Sequence, residues 1–75
     1  MKLTLVDWKS EYFGSNTLVY YFVGEDGNHY YWRTASDKMD DVRTGETIEA
    51  KFKETSDWYT DKNGIKQIRI KNVRW

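Results

Sequence analysis

The sequence predicts an all-β fold, a small barrel of five short strands with one short helix between the third and the fourth. Three observations carry that expectation. Apolar residues recur at period two in five places, and no helical stripe runs longer than two turns. Glycine-centred turn signals punctuate those five runs. The chain has 75 residues, of which 17% are aromatic, with no cysteine and no proline. A domain this short buries only roughly 60% of its unfolded surface, and without disulfides its aromatic side chains must supply most of the core.

Lys2 to Trp8 alternates, with Leu3 and Leu5 on one side, before Val6 and Trp8 carry the apolar character on the opposite parity. That switch predicts a bulged or sharply bent first strand. Gly14-Ser15-Asn16 reads as a loop. Leu18 to Val23 is an uncharged run of β-branched and aromatic residues, an aggregation hazard on an exposed edge and therefore placed inside the sheet. Glu25-Asp26-Gly27-Asn28 is a hairpin signal, because Gly27 tolerates the positive φ such turns require, and His29 to Ala35 returns as the third strand. In Ser36 to Gly45, Ser36 or Asp37 suits a helix cap, and Asp37, Asp40 and Asp41 suit a first turn. Met39 and Val42 are spaced to share its buried face. Glu46 to Glu54 alternates most clearly: Ile48, Ala50 and Phe52 point one way, while Thr47, Glu49, Lys51 and Lys53 point the other. Asp61-Lys62-Asn63-Gly64 holds the Asn-Gly hairpin signal. Ile65 to Trp75 is the last strand; its apolar parity changes between Ile70 and Val73, which predicts a bulge near Lys71 or Asn72.

Five strands with a helix after the third is the order of the OB-fold, a partly open barrel. The alternative is an SH3-like barrel, whose single 3₁₀ turn would fall between the fourth and fifth strands, where Asn63-Gly64 stands instead. No linker or repeat divides the chain, so residues 1–75 form a single domain. Beyond strand order, Asp26-Gly27-Asn28, Trp32-Arg33-Thr34, Gly45-Glu46, Lys51-Phe52-Lys53-Glu54 and Asn63-Gly64-Ile65-Lys66-Gln67 together resemble a short OB-type module. Such modules occur in replication-associated and mobile-element proteins of phages and Gram-positive bacteria. The resemblance covers most of the chain and rests on turn and strand punctuation. It implies single-stranded nucleic-acid binding, or an accessory contact to replication proteins. The Trp58-Tyr59 segment lengthens the loop before the last turn relative to that pattern.

Several functions are disfavoured on composition. Twelve basic and twelve acidic residues cancel, so bulk charge does not hold the chain to a polyanion or a membrane. The longest uncharged apolar run, Leu18 to Val23, is far short of a membrane span, and no signal segment opens the chain; a cytoplasmic location is expected. Catalysis is not expected either. His29 is the one histidine, and nothing in the sequence arranges a serine and a carboxylate about it. Asp37, Asp40 and Asp41 lack the glycine and the terminal glutamate of a calcium loop. Gly24-Glu25-Asp26-Gly27 spells a phosphate-clamping GxxG, but its central acids would repel phosphate. No metal or cofactor is implied.

Binding is better provided for. On the third strand His29, Tyr31 and Arg33 share one face, and Tyr30, Trp32 and Thr34 share the other. Burying arginine and histidine without partners is costly, so the first trio should face water. If the Glu25-Asp26-Gly27 turn carries a glycine bulge, Val19, Tyr21 and Val23 lie on that outer face and Leu18, Tyr20 and Phe22 in the core; a two-residue turn would reverse this. The bulged form is favoured because it gives the core its largest rings. Trp8, Trp32, Phe22 and Phe52 are assigned to the core.

Charge is unevenly spread. Residues 1–50 hold five basic and nine acidic side chains, residues 51–75 seven basic and three acidic, and no acid follows Lys62. Lys66, Arg69, Lys71 and Arg74, widened by Lys51 and Lys53, would form a basic stripe. Trp58 and Tyr59, expected in a polar loop beside it, join Tyr21, His29, Tyr31 and Arg33 as candidate contacts for bases. The expected function is a non-catalytic module that binds single-stranded DNA or RNA through this aromatic and basic face. The alternative is a protein-interaction or oligomerisation module of a phage or mobile-element replication complex. Each feature also has a plainer explanation: outward lysines keep an edge soluble, and rings in a small domain are usually core.

Overall fold

A computed structural model describes residues 1–12 and 16–75. It is all-β, with strands β1 (Lys2–Tyr12), β2 (Asn16–Gly24), β3 (His29–Thr34), β4 (Thr47–Glu49), β5 (Lys51–Thr60) and β6 (Lys66–Arg74). They form one six-stranded mixed sheet in the order β4-β1-β2-β3-β6-β5, in which only β3 and β6 run parallel. Six strands replace the expected five because the alternating segment after residue 46 is cut at Ala50. Thr47–Glu49 pairs with β1 and Lys51–Thr60 with β6, so the two edges of the sheet are consecutive stretches of chain. The buried Ala50 exchanges both backbone hydrogen bonds with Met1, each 2.9 Å long.

The parity changes in the sequence correspond to real irregularities. In β1, Leu5 pairs with Phe22 and Asp7 with Tyr21, leaving Val6 as the extra residue of a bulge. Leu3 and Leu5 are buried, but Trp8 is 53% exposed, not part of the core as expected. Its strand explains why: β4 covers β1 only from Lys2 to Thr4, so beyond the bulge one side of β1 is a bare edge. In β6, Lys71 pairs with Lys53 and Arg74 with Lys51, and Asn72 takes the extra position with a φ of 55°. The loop expected at Gly14-Ser15-Asn16 falls outside the described residues except for Asn16, where β2 begins.

The β2–β3 hairpin takes the favoured bulged form. Gly24 N–H donates to the Asn28 carbonyl at 2.8 Å and Gly27 N–H to the Gly24 carbonyl at 2.9 Å, with Gly27 at a φ of 82°. Tyr21 is therefore opposite Tyr31, and Tyr20 opposite Trp32. Leu3, Leu5, Tyr20, Phe22, Tyr30, Met39, Ala50, Ile70 and Val73 form the core, with Trp32, Phe52 and Ile68 packed against it. Tyr30 ties the hairpin loop to that core. Its hydroxyl donates to Asp26 Oδ2 at 2.6 Å, and its ring lies 5.3 Å from that of Phe52.

No helix forms between β3 and β4, contrary to expectation. Residues 35–46 instead make successive tight turns, closed by Asp40 N–H to Asp37, Val42 N–H to Met39 and Glu46 N–H to Arg43. Met39 is buried and Val42 packs on the core, so the pair shares an apolar side without helical backbone. Local competition accounts for this: the Thr34 and Ser36 hydroxyls accept the backbone N–H groups of Ser36 and Lys38, which disfavours a helix. So short a segment also gains too few bonds to offset nucleation.

Candidate functional site

The outer face of the sheet carries Val19 and Tyr21 from β2, His29, Tyr31 and Arg33 from β3, Gln67 and Arg69 from β6, and Tyr59 from β5, as the registers require. That face is not the open platform expected from the sequence. Val19 is buried, and Tyr31 is only 8% exposed; the Tyr59 ring meets Tyr31 edge-on with centroids 5.2 Å apart. Tyr31 is thus a packing residue beneath Tyr59, a correction to its expected exposure. The physical reason is the parallel β3–β6 pairing, which brings the β5–β6 ribbon alongside the third strand.

Trp58 and Tyr59 also differ from expectation, since both lie on β5 rather than in a loop. Trp58 pairs with Ile68 and Tyr59 with Gln67. Residues 55–57 bulge from the strand just before them, where the register shifts between Glu54 and Trp58. Trp58 is 57% exposed, and the Lys66 ammonium sits 4.7 Å from its ring centroid, a cation–π contact. This pair stands on the opposite parity from Tyr59.

Where β1, β3 and the β5–β6 turn converge, an open groove of about 620 Å³ is lined by Asp7, Lys9, Tyr21, His29, Tyr59, Asp61, Lys62 and Gln67 among others. Three of the expected site residues, Tyr21, His29 and Tyr59, therefore come together. Tyr59 is 39% exposed; its burial, followed by the neighbouring Tyr21 hydroxyl, pushes its pKa up to about 12. Lys9 lies 5.9 Å from the Tyr21 ring and is held protonated above its ordinary range chiefly by the Glu11 carboxylate, 3.0 Å away. The turn residue Asp61 shapes the groove floor. Its Oδ1 accepts the N–H groups of Asn63 and Ile65, and its Oδ2 accepts Gln67 Nε2 at 3.1 Å. These bonds, the one from Ile65 foremost, hold its carboxyl below the usual range.

The expected basic stripe divides in two. Arg33 is 3.7 Å from Glu11 and Arg69 is 3.5 Å from Asp57, so acids distant in sequence temper both. Farther along the ribbon, Lys51 lies directly opposite Arg74 and Lys53 opposite Lys71. All four are exposed, and none has a carboxylate within salt-bridge distance among the described residues. Like charges facing each other across strands repel, which leaves this ladder suited to an anionic partner.

Sequence reasoning missed Asp7, Lys9, Asp61 and Gln67 as groove residues. Asp61 was legible as the first residue of a turn, whereas Gln67 acquires its position only from its parallel register with His29. Among the described residues, no three histidine, aspartate or glutamate side chains cluster to hold a metal, and no helix is long and apolar enough to cross a membrane. No protein-family model matches the chain, and neither a curated protein nor a solved structure matches it.

Proposed function

We propose that this chain is a non-catalytic OB-type module that binds single-stranded nucleic acid along the outer face of its β5–β6 ribbon. The observation that carries the reading is the four-cation ladder of Lys51, Arg74, Lys53 and Lys71, continuous along one ribbon with the tyrosine-walled groove. At about 3.3 Å per residue, the span from Gln67 to Arg74 is roughly 20 Å, long enough to follow several phosphates. Tyr21 and Tyr59 then offer rings for stacking, which tolerates any base and contributes about 1–3 kcal/mol each. The barrel reading is supported by the strand order and by the way β4 and β5, separated by one residue, serve the two edges of the sheet.

The test is a titration with oligo-dT followed by tryptophan fluorescence and amide shifts over a range of salt. Four phosphate contacts predict a log–log salt slope of roughly −3. Replacing Lys53 and Lys71 with glutamine should roughly halve that slope, flattening it by about 1.4, whereas Tyr21→Ala should weaken binding equally at every salt concentration. No response at low salt would sink the reading.

A second reading, a protein-interaction or oligomerisation module, draws on the bare edge of β1, where Val6 and Trp8 are exposed beyond the part that β4 covers. Exposed edges of this kind pair with other chains. A mass that rises with concentration and falls back on Trp8→Lys would select it.

A further inference from the structure

Gln67 is 6% exposed and lines the groove, yet its Oε1 has no hydrogen-bond partner, alone among buried side-chain nitrogens and oxygens of the described residues. Native structures seldom leave such an atom unpaired. The amide cannot relieve itself by turning over, because its Nε2 donates to Asp61 Oδ2 at 3.1 Å and the reversed amide would set oxygen against oxygen. Asp61 is nearly, but not fully, satisfied. A carboxylate offers about four acceptor positions; the N–H groups of Asn63 and Ile65 take two and Gln67 takes a third. The Nε2–Oδ2 bond therefore holds two acceptors side by side, one empty and one with a position to spare. Tyr21, Tyr59 and His29 line the same groove. Its charged residues, Asp7 and Asp61 against Lys9 and Lys62, cancel, which suits a neutral planar guest better than a guanidinium.

We propose that the groove is a guanine pocket: Gln67 Oε1 and Asp61 Oδ2 accept the N1–H and N2–H groups of the base while Tyr21 and Tyr59 flank its ring. This rests on the nucleic-acid reading above and adds base selectivity to it. Guanine alone among the bases presents two adjacent donors on its Watson–Crick edge. Adenine and cytosine set a donor beside an acceptor, and thymine sets one donor between two acceptors, so each would aim an oxygen or a bare nitrogen at the Gln67–Asp61 edge. Because Oε1 is closed off from water, the base edge reaches it as the Tyr59 ring, on the cross-strand partner of Gln67, swings from its place beside Gln67 to stand against the face of the base.

The experiment compares a short oligo-dT with the same strand carrying one central dG, deoxyinosine or dA, and adds guanosine monophosphate alone, with amide shifts of residues 59–67 as the readout. The expected result is about tenfold tighter binding of the dG strand, with most of the gain lost in deoxyinosine, which lacks the N2 amine. Gln67→Leu should abolish the preference for the dG strand over the dA and deoxyinosine strands. The deoxyinosine comparison needs only the unaltered protein, so it decides the matter even if that variant does not fold. Equal affinity for all four strands overturns the pocket and leaves strand binding standing. Guanosine monophosphate shifting residues 59–67 without any strand binding keeps the pocket and overturns the strand reading, and no response to any ligand overturns both.

Discussion

The two faces of β2 and β3 are built from the same kinds of residue and do different work. On the inner face Tyr20, Phe22, Tyr30 and Trp32 pack into the core. On the outer face Tyr21 lines a groove together with Tyr59 of β5 and several charged residues, and Tyr31 packs beneath Tyr59. Each face has a tyrosine whose pKa is pushed up to about 12, mainly by burial. Tyr30 donates to Asp26 at 2.6 Å, whereas Tyr59 stands among other phenols at an exposed surface. Aromatic residues in a small sheet thus serve as core or as contact surface according to which neighbouring strand covers them, not according to their chemistry.

The comparison breaks most sharply by truncation. Phe22→Ala should cost about 3–5 kcal/mol in urea unfolding, a large share of the stability of a domain this small. Tyr21→Ala, one position earlier on the outer face, should cost under about 1 kcal/mol and register instead as lost oligonucleotide affinity. If the two variants unfold at the same urea concentration, the inner and outer assignments are wrong.

A smaller effect separates the two tyrosines. Tyr30→Phe should cost about 1 kcal/mol, the net worth of one hydrogen bond. Alkali sharpens this. Both folded pKa values lie above the ordinary phenol value near 10, so the stability these groups contribute is complete below about pH 10 and is lost as pH rises toward 12. The urea midpoint should therefore fall between pH 9.5 and 11.5, less steeply in Tyr30→Phe, and tyrosinate absorbance should show late-ionising phenols. A midpoint insensitive to pH in that window would remove the argument.

The smallest effect concerns the cation ladder. Lys71→Glu places an acid opposite Lys53 and should raise stability by about 0.2–1 kcal/mol at low salt, with the gain fading as salt screens it. The same change should weaken oligonucleotide binding. Stability and binding moving together would mean the ladder is structural.

Much of this was legible in the sequence. The parity switch after Leu5 marked the β1 bulge, the switch after Ile70 marked Asn72, and Gly27 marked the bulged hairpin, because side-chain alternation and positive φ are local properties. The assignment of Trp8 to the core failed because alternation names a face without saying whether anything covers it. The expected helix failed because residues 36–45 satisfied helix-start rules, yet their hydroxyls supplied competing partners for the backbone. Trp58 and Tyr59 were placed in a loop because the irregularity at residues 55–57 hides the strand continuing beyond it.

The sequence by itself determined the alternating segments, the glycine turns at Gly27 and Gly64 and the core-facing parity of β3, since these depend on period-two patterning and on glycine within a few residues. Only the tertiary structure decided that Tyr31 lies beneath Tyr59, that Glu11 and Asp57 temper Arg33 and Arg69, and that Gln67 and Asp61 line a groove with His29. Those relations join residues 12 to 38 positions apart. The packing of Tyr31 beneath Tyr59 and the shared groove follow from the register of the parallel β3–β6 pair, and the two ion pairs from pairing across β1, β2 and β3 and within the β5–β6 ribbon; no local pattern specifies either.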